Sequence, residues 1–435
     1  MSKRIAVVGM GYVGLVQAVG LSDFGNTVVG VDVDGSKIRK LISGVSPIYE
    51  HDVEEYLKRN LQTGRLTFTD DISAAIKSSE VVFLSLGTPS KGDGGVDLSQ
   101  IEDVVKVIAK NLDGYKMIVT KSTVPVGTNK WIADSIREQA GHGDFDVVSN
   151  PEFVREGRAI QDFFHPDRVV VGTDSPRARE IIQDIYRPLY LIQTPMIWCN
   201  WETAELTKYA CNGFLATKIA YINQMANLAD AVGGDIHVIA KAMGMDGRIN
   251  PKYLHPGPGF GGSCFPKDLR ALVNMGNSHG AKQSIAKEVI EANKEQGSKI
   301  VEKLQAVMNG LANKTVGVLG GAFKSETDDV RESPALAIIE KLLSEGARVN
   351  AHDPKAIGNM KAIFGERIRY FSDVFDALKG SEACMILTEW NEYRNLDLDR
   401  AKRVMSGSIL MDARNIMDPE NAKRSGFTYR GVGRR

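Results

Sequence analysis

Residues 5–14, Ile-Ala-Val-Val-Gly9-Met-Gly11-Tyr-Val-Gly14, constrain the fold more than any other stretch of the chain. Four apolar residues that read as a buried strand run directly into glycines spaced Gly-x-Gly-x-x-Gly, and a helical pattern follows. Such glycines permit a tight turn, close approach of a pyrophosphate and close packing of the next helix, whose N-terminus attracts phosphate. Asp32 ends the next apolar run, eighteen residues beyond Gly14. A carboxylate there accepts from both ribose hydroxyls and repels a 2′-phosphate, which favours NAD over NADP. FAD shares the fingerprint and is the competing dinucleotide.

The same alternation continues. Short β-branched runs at 28–31, 81–86, 117–120, 147–149 and 169–171 are separated by helical patterns, which predicts a mostly parallel, doubly wound α/β sheet to about residue 200. From 201 to about 232 apolar residues recur at helical spacing with no proline, predicting one long helix of about thirty residues. A Gly/Pro-rich loop, 253–268, and more helix to about 312 follow. The α/β pattern then restarts with strands at 316–319, 349–351, 385–387 and 409–411 and a helix over 333–346. Val-Gly-Val-Leu-Gly320-Gly321 echoes the first fingerprint, and Asp353 stands to it as Asp32 stands to the first. The expected architecture is two Rossmann-like domains joined by a central helical one, with boundaries at 1–200, 201–312 and 313–435.

Fifty-four basic and 54 acidic residues cancel, which removes the electrostatic footprint of a nucleic-acid binder and offers nothing to an anionic membrane. Four cysteines, Cys199, Cys211, Cys264 and Cys384, lie too far apart for a zinc-site spacing and are too few to staple a secreted scaffold, so no metal site and a reducing cytoplasm are expected. The basic start before an apolar run imitates a signal peptide, but the glycines that punctuate it and the lack of a small-residue cleavage site argue against one. No segment reaches the roughly 18 apolar residues of a membrane span.

Several polar residues stand where ligands bind in such sheets. Thr88 and Thr123 follow strand ends, and each fits either a place beside the cofactor or an ordinary proline-punctuated turn. Glu152 and Glu156 share a cleft-facing side if their segment is helical, and otherwise belong to a solvated turn. Lys208 and Asn212 lie four apart on the long helix, suited to an oxyanion or to a lysine that snorkels outward. Lys324 and Arg331 follow a strand-end glycine pair, where phosphate binding competes with a solvated loop. Cys264 is singular. A lone cysteine is ordinarily a small buried hydrophobe, but this one follows Gly261-Gly262-Ser263 and precedes Lys267, whose ammonium would favour thiolate.

Taken in order, Gly9-Met-Gly-Tyr-Val-Gly14, Lys121-Ser-Thr-Val-Pro-Val-Gly127, Asn150-Pro-Glu-Phe-Val-Arg-Glu156, Glu205-Leu-Thr-Lys-Tyr-Ala-Cys-Asn212, Gly259-Phe-Gly-Gly-Ser-Cys-Phe-Pro-Lys-Asp268 and Ala322-Phe-Lys324 with Asp328-Asp-Val-Arg-Glu-Ser-Pro334 resemble the UDP-glucose/GDP-mannose dehydrogenase family along essentially the whole chain. The segment around Cys264 is the most specific. The resemblance implies an NAD-binding domain, a central domain that forms a homodimer and a C-terminal domain for a nucleotide sugar. It implies Cys264 as nucleophile, assisted by Lys208, Asn212 and Asp268, with Thr123 and Glu152 organising a catalytic water. Gly9, Gly11, Val13, Gly14, Asp32, Lys37, Thr88, Thr123, Glu156, Lys267 and Arg331 would line the NAD site. Glu152, Phe153, Val154, Arg155, Glu156, Lys208, Asn212, Tyr253, Leu254, His255, Pro256, Gly257, Phe260, Gly261 and Lys324 would line the sugar-nucleotide site, and Arg248 would reach the phosphates from a neighbouring subunit.

The implied activity is a four-electron oxidation of the C6 alcohol of UDP-glucose, with GDP-mannose as the runner-up substrate; which group acts as base stays open. Gln224 replaces the acid that the family places after its Ile-Asn pair, and Gly320-Gly321-Ala322 departs from Gly-Leu-Ala. Two rivals remain. A single-step dehydrogenase would share the NAD domain and helical middle yet need neither Cys264 nor a third domain, and a silent NAD-binding redox sensor would use Cys264 without turnover.

Overall fold

Residues Ile5 and Val7 face one hydrophobic core and Ala6 and Val8 another, so the first strand is buried on both sides. The computed structural model that reveals this describes residues 2–141 and 143–434. Strand β1 (Arg4–Val8) sits at the middle of a sheet with β2 (Thr27–Val31), β3 (Leu66–Thr69), β4 (Val81–Leu84), β5 (Lys116–Thr120), β6 (Phe145–Ser149), β7 (Val169–Gly172) and β8 (Met196–Cys199). Their order is β3-β2-β1-β4-β5-β6-β7-β8. Every pairing is parallel except β6 with β7, which touch antiparallel at Ser149 and Gly172. Strands β4 and β5 feed the two cores alternately, as β1 does, which is why their sequences read as continuous apolar runs. The chain reverses direction of travel through the sheet between β1 and β4, and the crevice beyond their C-terminal ends is where a doubly wound sheet receives ligands.

The long helix spans Trp201–Val232, 32 residues against the thirty expected. Asn200 starts it by accepting from the Thr203 amide at 3.0 Å. By packing, the chain divides within this helix into two units, Met1–Cys211 and Asn212–Arg435.

The second unit carries the helices Ile236–Met245, Phe265–Ser278 and Ser284–Met308 and a sheet of β9 (Thr315–Leu319), β10 (Arg348–His352), β11 (Arg369–Tyr370), β12 (Ala383–Ile386), β13 (Ile409–Asp412) and β14 (Thr428–Gly431). Its order, β11-β10-β9-β12-β13-β14, repeats the first six strands of the other sheet. The echo extends to single bonds. The amide of Gly9 donates to Val31 O and that of Gly320 to His352 O, both at 2.8 Å, and both glycines hold positive φ, +96° and +103°. Asp32 Oδ2 accepts from Met10 N at 2.8 Å; Asp353 Oδ2 accepts from Gly321 N at 2.7 Å. The copies then diverge, because Asp353 is filled by its own chain, accepting also from Ala322, Lys355 and Ala356 amides and from the Trp390 indole. The second strand-end acid therefore braces a turn with five donors, while the first takes three among the described residues, from Met10, Asp34 and Lys37.

One expectation is corrected. The Cys264 loop ends earlier than the sequence reading had it, since Pro266, Lys267 and Asp268 lie in the first turn of the helix Phe265–Ser278 and Cys264 is its N-cap. Proline at the first helical positions with an acid behind it is a start signal, and it explains the difference.

Candidate active site

In the first unit the glycine turn is built as its sequence requires. A Cβ on Gly14 would lie 1.7 Å from Gly9 O, and one on Gly9 would lie 2.6 Å from Ser85 O. A Cβ on Gly11 would meet nothing within 4 Å, so the chain itself leaves that side of the turn open, as close approach by a pyrophosphate demands. The Oγ atoms of Ser85, just past β4, and Thr120, the last residue of β5, are buried without a hydrogen-bond partner among the described residues. Thr88 is buried nearby in sequence, while Val13 and Thr123 are half-buried. Asp32 lies just past β2, with Oδ2 shared between Met10 N and Lys37 Nζ, 2.7 Å away, and Oδ1 on Asp34 N at 3.0 Å. The turn, the open Gly11 face and the acid fit a dinucleotide.

The segment 151–158 is irregular, so neither a helical face nor a fully solvated turn describes Glu152 and Glu156. Glu152 is buried. Its Oε2 accepts from Val154 N at 2.7 Å and its Oε1 takes Lys208 Nζ at 2.9 Å, with both side chains about as buried as core residues at 6% and 5% exposure. Lys208 does not snorkel. The ring of Phe153 lies under the Arg168 guanidinium at 3.7 Å and beside Lys208 Nζ at 5.3 Å, so two cations bracket it. Arg155 points outward and forks onto Asp162 at 2.5 and 2.8 Å.

In the second unit Cys264 occupies the N-cap position of a 14-residue helix, and Ser263 Oγ lies 3.6 Å from its Sγ. Partial positive charge at a helix N-terminus favours a thiolate. The nearby ammonium expected to do this is otherwise engaged, since Lys267 Nζ bonds Asp268 Oδ1 at 2.7 Å. Asp268, 2% exposed, also receives Asn212 Nδ2 on Oδ2 at 2.7 Å. One buried carboxylate thus fixes the amide of Asn212 and the ammonium of Lys267 one helical turn from the thiol.

The approach to the cysteine is braced by side-chain amides. Asn223 Oδ1 accepts from Gly257 N at 2.8 Å, Gln296 Nε2 donates to Gly257 O at 3.0 Å, and Asn293 bonds both the amide and the carbonyl of Phe260. Leu254 is buried, Tyr253 and Pro256 are half-buried and His255 is exposed. A Cβ on Gly261 would lie 2.3 Å from Glu332 O, and Gly262 N donates to Arg331 O at 3.0 Å. Arg331 itself turns outward and forks onto Asp329 at 2.7 and 2.9 Å. Lys324 Nζ lies 5.5 Å from the Phe323 ring, and Arg248 is exposed with its guanidinium on Asp246.

Models of the UDP-glucose/GDP-mannose dehydrogenase family match the chain three times in succession: the NAD binding domain over 3–190, the central domain over 202–295 and the UDP binding domain over 317–419. The chain is 45% identical over 434 residues to UDP-glucose 6-dehydrogenase TuaD of Bacillus subtilis, covering 99% of this chain and 93% of the relative. It is 44% identical over 435 residues to UDP-glucose 6-dehydrogenase of Rhizobium meliloti, covering 99% of each. The chain belongs to the UDP-glucose/GDP-mannose dehydrogenase family. A solved UDP-glucose dehydrogenase from Pyrobaculum islandicum superposes with TM-score 0.93 at 38% identity, covering 100% of this chain and 98% of that one. As a member of the family the chain is an NAD-dependent oxidoreductase of nucleotide sugars. Among the described residues no helix is long and apolar enough to cross a membrane.

Several supports of this family site went unread in the sequence. Glu205, 2% exposed, accepts from Gly127 N, Asn129 N and Asn129 Nδ2 at 2.7–2.8 Å, so the start of the long helix holds the loop that carries Thr123. Burial pushes its carboxyl up against the pull of those bonds. Lys121 is buried against Asn150 Oδ1 at 3.1 Å and Tyr186 Oη at 3.4 Å, which fixes the first residue of the acidic segment. Glu205 and Lys121 both lie inside motifs that the sequence singled out, yet only their long-range partners reveal what they do.

Proposed function

We propose that the chain oxidises the C6 alcohol of UDP-glucose to the carboxylate of UDP-glucuronate, holding the intermediates on Cys264. The observation that carries this reading is a thiol at the N-cap position of the very helix whose first turn holds the Asp268 carboxylate that fixes Asn212 and Lys267. Bound NAD supplies the hydride acceptor for both oxidations, one molecule for each.

The protein's own groups do the rest. A carboxylate, Asp268 or Glu152, takes the C6 hydroxyl proton as the aldehyde forms. Cys264 Sγ bonds to the aldehyde carbon, and the carbonyl oxygen becomes the hydroxyl of a thiohemiacetal, so the reactive aldehyde stays on the enzyme. The second oxidation takes the hydride from that carbon while the carboxylate base takes the hydroxyl proton, and a thioester is left. Water then adds to that carbon, the carbon–sulfur bond breaks, and thiolate and carboxylate result; one water is consumed per sugar. Asn212 keeps one amide proton for the oxyanions while Asp268 holds the other, and Lys208 brings positive charge to the same task. Thr123 and Glu152 would orient the water.

NAD would lie along Gly9, Gly11, Val13, Gly14, Asp32, Lys37, Thr88 and Thr123, with Glu156, Lys267 and Arg331 at its margins. The sugar nucleotide would use the acidic segment, Tyr253 to Gly261 and Lys324. The domains would run 1–200, 201–312 and 313–435. A homodimer through the long helix is supported by the apolar stripe of Phe214, Tyr221, Leu228 and Val232, all at least 48% exposed, with Arg248 serving the neighbouring subunit. Among the described residues no disulfide joins Cys199, Cys211, Cys264 and Cys384, which supports a reducing cytoplasm.

The deciding experiment counts NADH formed per sugar consumed with UDP-glucose and GDP-mannose in parallel. Two per UDP-glucose is expected, with GDP-mannose turned over at a small fraction of that rate; one per sugar with a stable product would overturn the double oxidation.

A further inference from the structure

Glu50 lies just before the helix Val53–Gln62. Its carboxylate is 7% exposed. Oε1 accepts from Ala159 N at 2.8 Å, and Oε2 accepts from Gly157 N at 2.7 Å and from the phenol of Tyr12. Tyr12 is the first residue of the helix Tyr12–Asp23 that opens at the glycine turn, and its Oη also stands 3.1 Å from the carbonyl of Arg155. Burial, reinforced by the charges of Glu50 and Glu156, pushes the phenol well above its ordinary pKa, so it stays protonated and donates.

A carboxylate is a costly thing to bury, and an apolar side chain would fill the same space at less cost. What the carboxylate adds is direction: three donors, two of them backbone amides of one turn, converge on two oxygens in a plane. The turn they fix, 155–159, ends the acidic segment that begins at Asn150. Its other end is fixed separately, through Lys121 on Asn150 and Lys208 on Glu152. The segment is therefore held at both ends, and at the far end Glu50 takes the amides of Gly157 and Ala159 beyond the Arg155–Asp162 fork.

We propose that Glu50, with Tyr12, is the positioning residue that sets the acidic segment for the sugar nucleotide, acting through the amides of Gly157 and Ala159; the inference rests on the sugar-nucleotide reading of that segment. Glu50 touches no reacting atom. It ties the turn that presents Glu156 to the helix that receives the dinucleotide.

The test is Glu50→Gln, which keeps the shape but turns an NH2 group toward an amide donor. The KM for UDP-glucose should rise by about tenfold or more while kcat falls by less than about threefold. NADH affinity, read by NADH fluorescence, should stay within about threefold of wild type, because the Asp32–Met10 bond holds the glycine turn independently. Tyr12→Phe removes one donor and leaves the two amides in place, so its KM should rise by about threefold. Loss of folded enzyme lowers kcat at constant KM, so that pattern, or unchanged constants in a folded Glu50→Gln, overturns the proposal. Amide exchange decides it without turnover. The peptide covering 151–160 should exchange faster in Glu50→Gln, and wild-type protection there would overturn the proposal. If the wild type does not oxidise UDP-glucose, the functional reading fails and the exchange result alone judges the positioning role. Should Glu50→Gln fail to fold, Tyr12→Phe carries both measurements.

Discussion

Lys208 Nζ lies 2.9 Å from Glu152 Oε1 in a nearly solvent-free ion pair that joins the long helix to the acidic segment. Removing one partner of such a pair leaves the other charge buried, at a cost of about 3–5 kcal/mol. Lys208→Met should therefore lower the melting midpoint and reduce kcat by about 10²-fold or more. The double variant Lys208→Met/Glu152→Gln leaves no buried charge, and calorimetry should show most of the midpoint restored while activity stays lost. Equal midpoints for the single and double variants would show that the pair does not govern stability.

Asp268 receives both Asn212 and Lys267, and this has a consequence for the thiol. With the carboxylate in place, the ammonium is neutralised one helical turn from Cys264. Asp268→Asn releases that charge, so the thiol should become more acidic and alkylation of Cys264 by iodoacetamide at pH 7 should accelerate, by about threefold or more. Turnover should fall at the same time, because Asn212 loses its orientation. Peptide mapping separates Cys264 from the other cysteines. Slower alkylation would mean that Asp268, by holding the Lys267 ammonium in place, favours ionisation of the thiol more than the released ammonium does.

The strands that carry this chemistry were legible because each is buried on both faces, and residues 5–8 and 81–84 announce that as unbroken apolar runs. The strands that were missed lack the signal. Leu66–Thr69 alternates with threonine, Met196–Cys199 is a half-buried edge strand, Arg369–Tyr370 is two residues long and Thr428–Gly431 is polar on one side. The cysteine, the long helix and the motif lysines were likewise marked by local pattern. What joins them was not, because Glu152 meets Lys208, Asn212 meets Asp268 and Glu50 meets Gly157 across 56, 56 and 107 residues of sequence. Periodicity reports which face is buried and is silent about partners at that range. The boundary misplaced at Cys264 arose from reading a proline as a loop signal where it began a helix.

Cofactor choice turns on a pair close in sequence. Asp32 Oδ2 holds Lys37 Nζ at 2.7 Å, so the cation that would greet a 2′-phosphate is spent on the acid that would repel it. Asp32→Ser removes the repulsion and frees the lysine together. The kcat/KM ratio for NADP should rise by about tenfold or more relative to NAD. Adding Lys37→Ala to that variant should return most of the gain; if NADP use persists without the lysine, relief of repulsion alone explains the change.

The glycine fingerprint makes an internal control for ligand against fold. Gly11 sits at φ −77°, ψ −166°, which alanine adopts freely, and its new Cβ would meet no protein atom within 4 Å. Gly11→Ala should therefore melt with wild-type behaviour, since neither strain nor overlap opposes it. NADH binding should weaken by about tenfold or more, because the methyl group occupies the side of the turn left for the pyrophosphate. Gly261→Ala offers the opposite case. Its Cβ would lie 2.3 Å from backbone Glu332 O, which cannot step aside as a side chain can, so overpacking should cost about 1–3 kcal/mol and displace the Cys264 approach. A stable Gly11→Ala that binds NADH normally would remove the pyrophosphate from that turn, whatever the rest of the fingerprint suggests.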